Sequence, residues 1–138
     1  MRANVWMGAV GLGLAMGPAL AQPKAPAVDC TKASATSELN ICAEQDWARE
    51  DAALNAVYKR VLAKIAASDQ GEPYGAKSWD KALRDSQRAW VAFRDTDCKG
   101  LVPFDWTGGT GTTGAVLGCM SRTTKERAKD LRERFEIE

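Results

Sequence analysis

The stretch Arg84 to Cys98, RDSQRAWVAFRDTDC, decides the fold. Taken with the residues just before it, it carries the stripe Trp79, Leu83, Ser86, Trp90, Phe93 and Asp97 at intervals of three and four. That is the period of an α-helix, and the Arg and Asp residues off the stripe suit a solvated outer face. The helix is expected to begin between Ala76 and Ser78, with Ser78 a candidate cap. Small Ser86 in mid-stripe would let a neighbouring helix approach closely. This segment is read as the central packing helix.

Upstream, a longer pattern runs from Leu39 and Cys42 through Trp47, Leu54, Val57 and Val61 to Ile65. It predicts a first helix starting near Thr36 or Ser37, with Glu38 placed favourably for the helix dipole. The segment Asp69 to Pro73 ends it, since Gly71 suits a left-handed cap and Pro73 cannot continue a helix. At 1.5 Å per residue this helix would be ~45 Å long. Asp51 interrupts its apolar side. Downstream, Lys99 to Gly118 carries Pro103 and the run GGTGTTG, a glycine density that predicts a loop. A third helix is expected from about Cys119 to Arg134, with Met120, Thr124, Arg127 or Ala128, Leu131 and Phe135 inward. No segment has a strand period. The fold class is therefore all-α: a small, disulfide-stapled, antiparallel three-helix bundle with a Gly-rich loop between helices two and three.

The 138 residues make one domain at most. Residues 1–21 read as a cleavable signal peptide: Arg2, an uncharged run from Val5 to Gly17, then Ala19-Leu20-Ala21. The uncharged run falls short of the ~20 residues of a membrane span. Cleavage after Ala21 would leave a flexible lead at 22–29, a domain at 30–136, and a periplasmic or secreted location without a membrane anchor. Without Arg2 the basic count drops from 19 to 18 and equals the 18 acidic residues. A neutral mature chain lacks the basic excess of nucleic-acid binders. Histidine is absent, which removes the commonest general base and metal ligand.

Four cysteines in an exported chain of this size read as two disulfides. In an up-down-up bundle Cys30, Cys42, Cys98 and Cys119 all gather at one end, where more than one pairing is sterically possible. Cys30–Cys42 and Cys98–Cys119 are favoured, because each closes a short irregular segment. Four thiolates binding a metal is improbable after export, so no cofactor or metal site is expected.

Several blocks resemble the LprI-like family, small secreted bacterial proteins named for a lysozyme inhibitor. Glu38, Asn40 and Cys42 with Asp51 and Leu54-Asn55 are similar to its opening. Gln87-Arg88-Ala89-Trp90, Phe93-Arg94-Asp95 and Cys98 resemble its central signature, and Gly108-Gly109-Thr110, Cys119, Thr124, Arg127 and Leu131 its closing pattern. The resemblance covers nearly all of the mature chain. It implies a helical envelope domain, with lysozyme inhibition attached to the founding member.

On that resemblance the chain is expected to be a non-catalytic interaction protein that inhibits lysozyme-type muramidases. The alternative is an envelope structural or stress-related module with another protein or cell-wall partner. A small hydrolase using paired carboxylates is the remaining reading, and a domain of this size offers it little cleft. Asp51, Leu54, Gln87, Trp90, Arg94 and Asp95 are read as structural signature residues, with Arg94 turned inward to pair with Asp51. Partner contact is expected from Lys99, Phe104, Asp105, Trp106, Gly108, Gly109 and Thr110. Trp106 is either a binding anchor or a cover for the bundle end. Asp95, Asp97 and Asp105 form a local acidic patch suited to a basic partner. The glycine run lacks the following Lys-Ser or Lys-Thr and the preceding strand of a phosphate loop.

Overall fold

A computed structural model describes residues 28–138. The expected signal peptide and most of the expected lead lie outside the described residues. The chain forms α1 (Thr36–Ala66), α2 (Ala76–Asp95), a π-helical turn (Thr96–Leu101), the short α3 (Val102–Asp105) and α4 (Thr112–Phe135). The class is all-α, as the apolar periods require, and the described residues contain no strand.

The three long helices run up, down and up, so α1 and α4 are parallel. Asn40 lies at the start of α4, where its Oδ1 would be 3.3 Å from a Cβ on Gly114. At the far end Lys64 Nζ donates to the Phe135 carbonyl at 2.7 Å. Between these points Leu54, Val57, Val61 and Ile65 of α1 pack with Ala128, Leu131 and Phe135 of α4, and Leu83 of α2 joins them. Each fully buried Leu, Val or Ile contributes roughly 1.5–3 kcal/mol, so this seam dominates the fold's stability. A second, smaller cluster sits at the disulfide end: Cys98, Cys119 and Met120, covered by Trp47, Val102 and Val116.

The central pair is thus α1 with α4, which displaces α2 from the central position its sequence suggested. Only Leu83 and Arg94 of α2 are buried. Its inward line is Leu83, Gln87, Trp90 and Arg94, at steps of four, three and four, which leaves Phe93 on the outer side, 61% exposed. Trp79 is also partly exposed; it stacks on Phe135 with ring centroids 5.7 Å apart. Leu39, expected on the buried stripe, is exposed because α4 begins only beside Asn40 and gives the first turn of α1 nothing to pack on.

Helix ends differ from the sequence reading in instructive ways. α1 starts at Thr36 with Ala35 as N-cap, and alanine has no side-chain acceptor. Glu38 substitutes from inside the helix, its Oε2 accepting from the amides of Ser34 and Ala35 at 3.1 and 3.2 Å. α1 ends at Ala66, before Gly71, and Gly71 is not left-handed. α2 is capped by Gly75, while Ser78 hydrogen-bonds Glu72 instead.

The largest correction concerns Lys99 to Gly118. Most of it is helical. α2 passes through the π-turn into α3 with right-handed helical backbone at both junctions. The widened turn, in which the Val102 amide donates to the Asp97 carbonyl, directly precedes Pro103. A proline there lacks an amide hydrogen and its ring crowds the carbonyl four residues back, so a regular α-helix cannot continue through it. α4 then begins at Thr112, inside the glycine run. Non-helical chain is confined to Trp106 to Gly111, where Thr107 and Gly108 take positive φ.

Candidate functional site

The disulfide end carries the residues expected to meet a partner. Cys30 bridges Cys42 and Cys98 bridges Cys119, with Cα separations of 5.7 and 5.5 Å, the pairing favoured from sequence. Cys98 is fully buried, so the second bridge ties the π-turn rigidly to α4. The turn projects Leu101 outward, and α3 projects Phe104, 78% exposed. Together with Phe93 these residues give this end an exposed apolar surface.

Trp106 folds back on the chain without being buried. Its ring lies against Gly111, where an added Cβ would come within 2.2 Å of Cζ3, and it still keeps about half of its surface open. Gly111 is required by this close approach, not by an unusual φ. Gly108, at φ 73°, and Gly109 shape the turn that follows Trp106, with Thr110 exposed beyond them. Asp105 is exposed beside them and has no ion-pair partner among the described residues.

The acidic patch expected here is divided. Asp95 is taken up by Lys99, at 2.8 Å, and by Arg94, at 2.8 Å. Partial burial raises its carboxyl pKa, but the hydrogen bonds from Lys99 and Arg94 outweigh that and hold it below the usual carboxylate range. Asp97 turns the other way, its Oδ2 3.9 Å from the Cys119 sulfur. Asp97, Cys98 and Cys119 lie close enough to suggest a metal site, but both sulfurs are spent in the bridge. The two carboxylates serve different neighbours and do not form an acid–base pair across a cleft.

The signature residues assemble along the α1–α2 seam. Arg94 is 7% exposed. Its Nε and Nη2 both donate to Asp95 Oδ1, Nη1 lies 3.8 Å from Asp51 Oδ1, and its guanidinium carbon stands 5.0 Å from the Trp90 ring centre. The inward Arg94–Asp51 pairing is therefore present, with Asp95 as the closer partner. A buried guanidinium needs such a set, since an unpaired buried charge is costly. Leu54 is buried below it.

Sequence reasoning left Arg127 undecided against Ala128. Both are used. Ala128 is buried in the core, while Arg127 reaches from α4 to α2, donating to Gln87 Oε1 at 3.1 Å and Ser86 Oγ at 3.2 Å. Ser86 thus receives an arginine, not a closely packed helix. The one side-chain nitrogen or oxygen buried without a partner among the described residues is Trp47 Nε1.

The family model described as "Lysozyme inhibitor LprI" matches residues 29–131, most of the chain. The chain belongs to the LprI family. The LprI match spans α1 through all but the last turn of α4, so it takes in both disulfides and the α1–α2 seam. An uncharacterised protein of Rhizobium meliloti (strain 1021) is 39% identical over 122 residues, covering 86% of each chain. No solved structure matches the chain. No helix among the described residues is long and apolar enough to cross a membrane.

Proposed function

We propose that this LprI-family chain is a non-catalytic, extracytoplasmic inhibitor of lysozyme-type muramidases. The proposal includes export through a signal peptide cut after Ala21, a lead over 22–29 and a working domain over 30–136. The observation that carries it is Phe104, an aromatic side chain left open on a helical projection locked by the buried Cys98–Cys119 bridge. Aromatic anchors on rigid supports bind at low entropic cost, because little freedom is lost on association. Asp105, next to it in the chain, is exposed without an ion-pair partner among the described residues, which favours a basic partner over an acidic one. Inhibition would act by occlusion, with the segment from Lys99 to Thr110 covering the substrate groove.

The test is a cell-wall clearing assay with the oxidised mature protein and a muramidase. Inhibition is expected at micromolar excess, and Phe104→Ala should weaken it at least about tenfold, the scale of one anchor worth ~1.4 kcal/mol or more. Phe104 supports no core, so the variant should melt with the parent. Absence of inhibition at micromolar excess would remove the proposal. The neutral mature charge favours a second reading, a different envelope protein as partner. A pull-down comparing the parent with a chain lacking Phe104 to Gly114 tests whether this end binds such a partner.

A further inference from the structure

A second feature, independent of the muramidase reading, lies on the side of the bundle. Facing positions of α1 and α2 do not interdigitate along their middle turns and leave a groove of about 470 Å³. That is the size of a small-molecule site. The helices are antiparallel, so Asp51 faces Arg94 at one end, while Tyr58 of α1 shares the other end with Arg84 of α2. From Asp51 to Tyr58 is roughly 10 Å along the helix.

Charge is distributed unevenly along that length. At the first end, Asp51 keeps 43% of its side chain exposed. Its Oδ2 accepts from Asn55 at 2.8 Å, but Oδ1 has only the 3.8 Å approach of Arg94, beyond hydrogen-bond reach. One carboxylate oxygen is thus open to a donor in the groove. Toward the other end, Arg84 and Arg88 stand one turn apart on the groove wall. The acids they pair with, Asp80 and Asp85, are not part of its lining. Arg88 is 71% exposed. Between the two ends the lining mixes apolar Leu54, Trp90 and Val91 with the amides of Asn55 and Gln87, which can meet a peptide backbone.

We infer that this groove binds a short zwitterionic peptide of about three residues, its ammonium group at Asp51 and its carboxylate at Arg84 and Arg88. The length follows from the span, since an extended chain advances ~3.3–3.6 Å per residue. The two ends match in kind: a carboxylate accepts from an ammonium, and the peptide carboxylate can accept from the Arg88 nitrogens that Asp85 leaves free and from Nη1 of Arg84, whose Nε and Nη2 are held by Asp80. A saccharide fits less well. The indole of Trp90, against which a sugar ring would stack, already has the guanidinium of Arg94 over it. Partly solvated charge pairs are individually weak, so the affinity expected is modest, with Kd on the order of 0.1–1 mM.

Calorimetric titration of the oxidised protein with trialanine tests this, alongside N-acetyl-trialanine, trialanine amide and chitotriose. Saturable binding of trialanine is expected, weakened at least about tenfold by blocking either terminus. Arg88→Gln should reproduce the loss seen with the amide while leaving the melting temperature unchanged, because its side chain supports no buried group. Asp51→Asn should reproduce the loss seen with the acetylated peptide. Failure of trialanine to bind up to about 10 mM, equal binding of blocked and free peptides, or preference for chitotriose would each overturn the assignment. The clearing assay does not enter this test, so either conclusion can fail alone.

Discussion

Arg94 shows how one side chain can link three elements. Through it α2 reaches Asp51 on α1 and, at 3.4 Å, the buried hydroxyl of Thr124 on α4, while its own helix supplies Asp95 and Trp90. Removing one member of a fully buried ion pair costs about 3–5 kcal/mol. Here Asp51 and Asp95 are each more than a third exposed, so the expected loss for Arg94→Ala is nearer roughly 2 kcal/mol. Urea unfolding measures it; an unchanged midpoint would refute the linking role. The same residues set a pH dependence. Because the folded state holds the Asp95 carboxyl below its ordinary value of 3.8, its contribution is complete above that pH and is lost as pH falls through the depressed folded value. Unfolding free energy should therefore decline below about pH 4, and Asp95→Asn should flatten that decline.

At the scale of elements, α4 is the helix whose sequence fits it least well. It begins among threonines and glycines, and Gly114 and Gly118 both lie within it. A Cβ on Gly118 would meet nothing within 4 Å, so that glycine serves no close approach. Gly118→Ala should stabilise the protein by about 0.5–1 kcal/mol, read as a higher urea midpoint. Gly114 is different, because a side chain there would press on Asn40. This is also why the start of α4 was hidden in the sequence. Its first turns are held by contact with α1 and by Cys119, and neither leaves a helical period in GGTGTTG. The core half of α4 was legible, since Met120, Thr124, Ala128, Leu131 and Phe135 fall on one face and all are buried. In α2 the period was correct and the direction of the stripe was not. After Trp90 the stripe can continue at i+3, to Phe93, or at i+4, to Arg94, and it is Arg94 that is buried. The α1–α2 groove was illegible for a related reason: the sequence places its residues on facing stripes but cannot show that the stripes stand apart.

For the whole molecule, the two disulfides are not equivalent. Cys30 is exposed on a segment outside the helices, whereas Cys98 is fully buried between the π-turn and α4. Mild reductant followed by alkylation should label Cys30 and Cys42 first, with Cys98 and Cys119 protected until the bundle opens; mass spectrometry distinguishes the order. Replacing both Cys98 and Cys119 by alanine should cost roughly 3 kcal/mol on the chain-entropy model. The parallel pairing of α1 with α4 has a further consequence, for assembly. The main seam joins residues such as Lys64 and Phe135, 71 positions apart, while neighbouring α1 and α2 share little buried surface. Ring closure over that distance must precede the main energetic return, and long-range contacts of this kind slow folding. A nascent chain carrying only α1 and α2 has no seam to close. A fragment ending at Gly111 should therefore lack cooperative thermal unfolding by circular dichroism, so α1 waits for the synthesis of α4 to become stable.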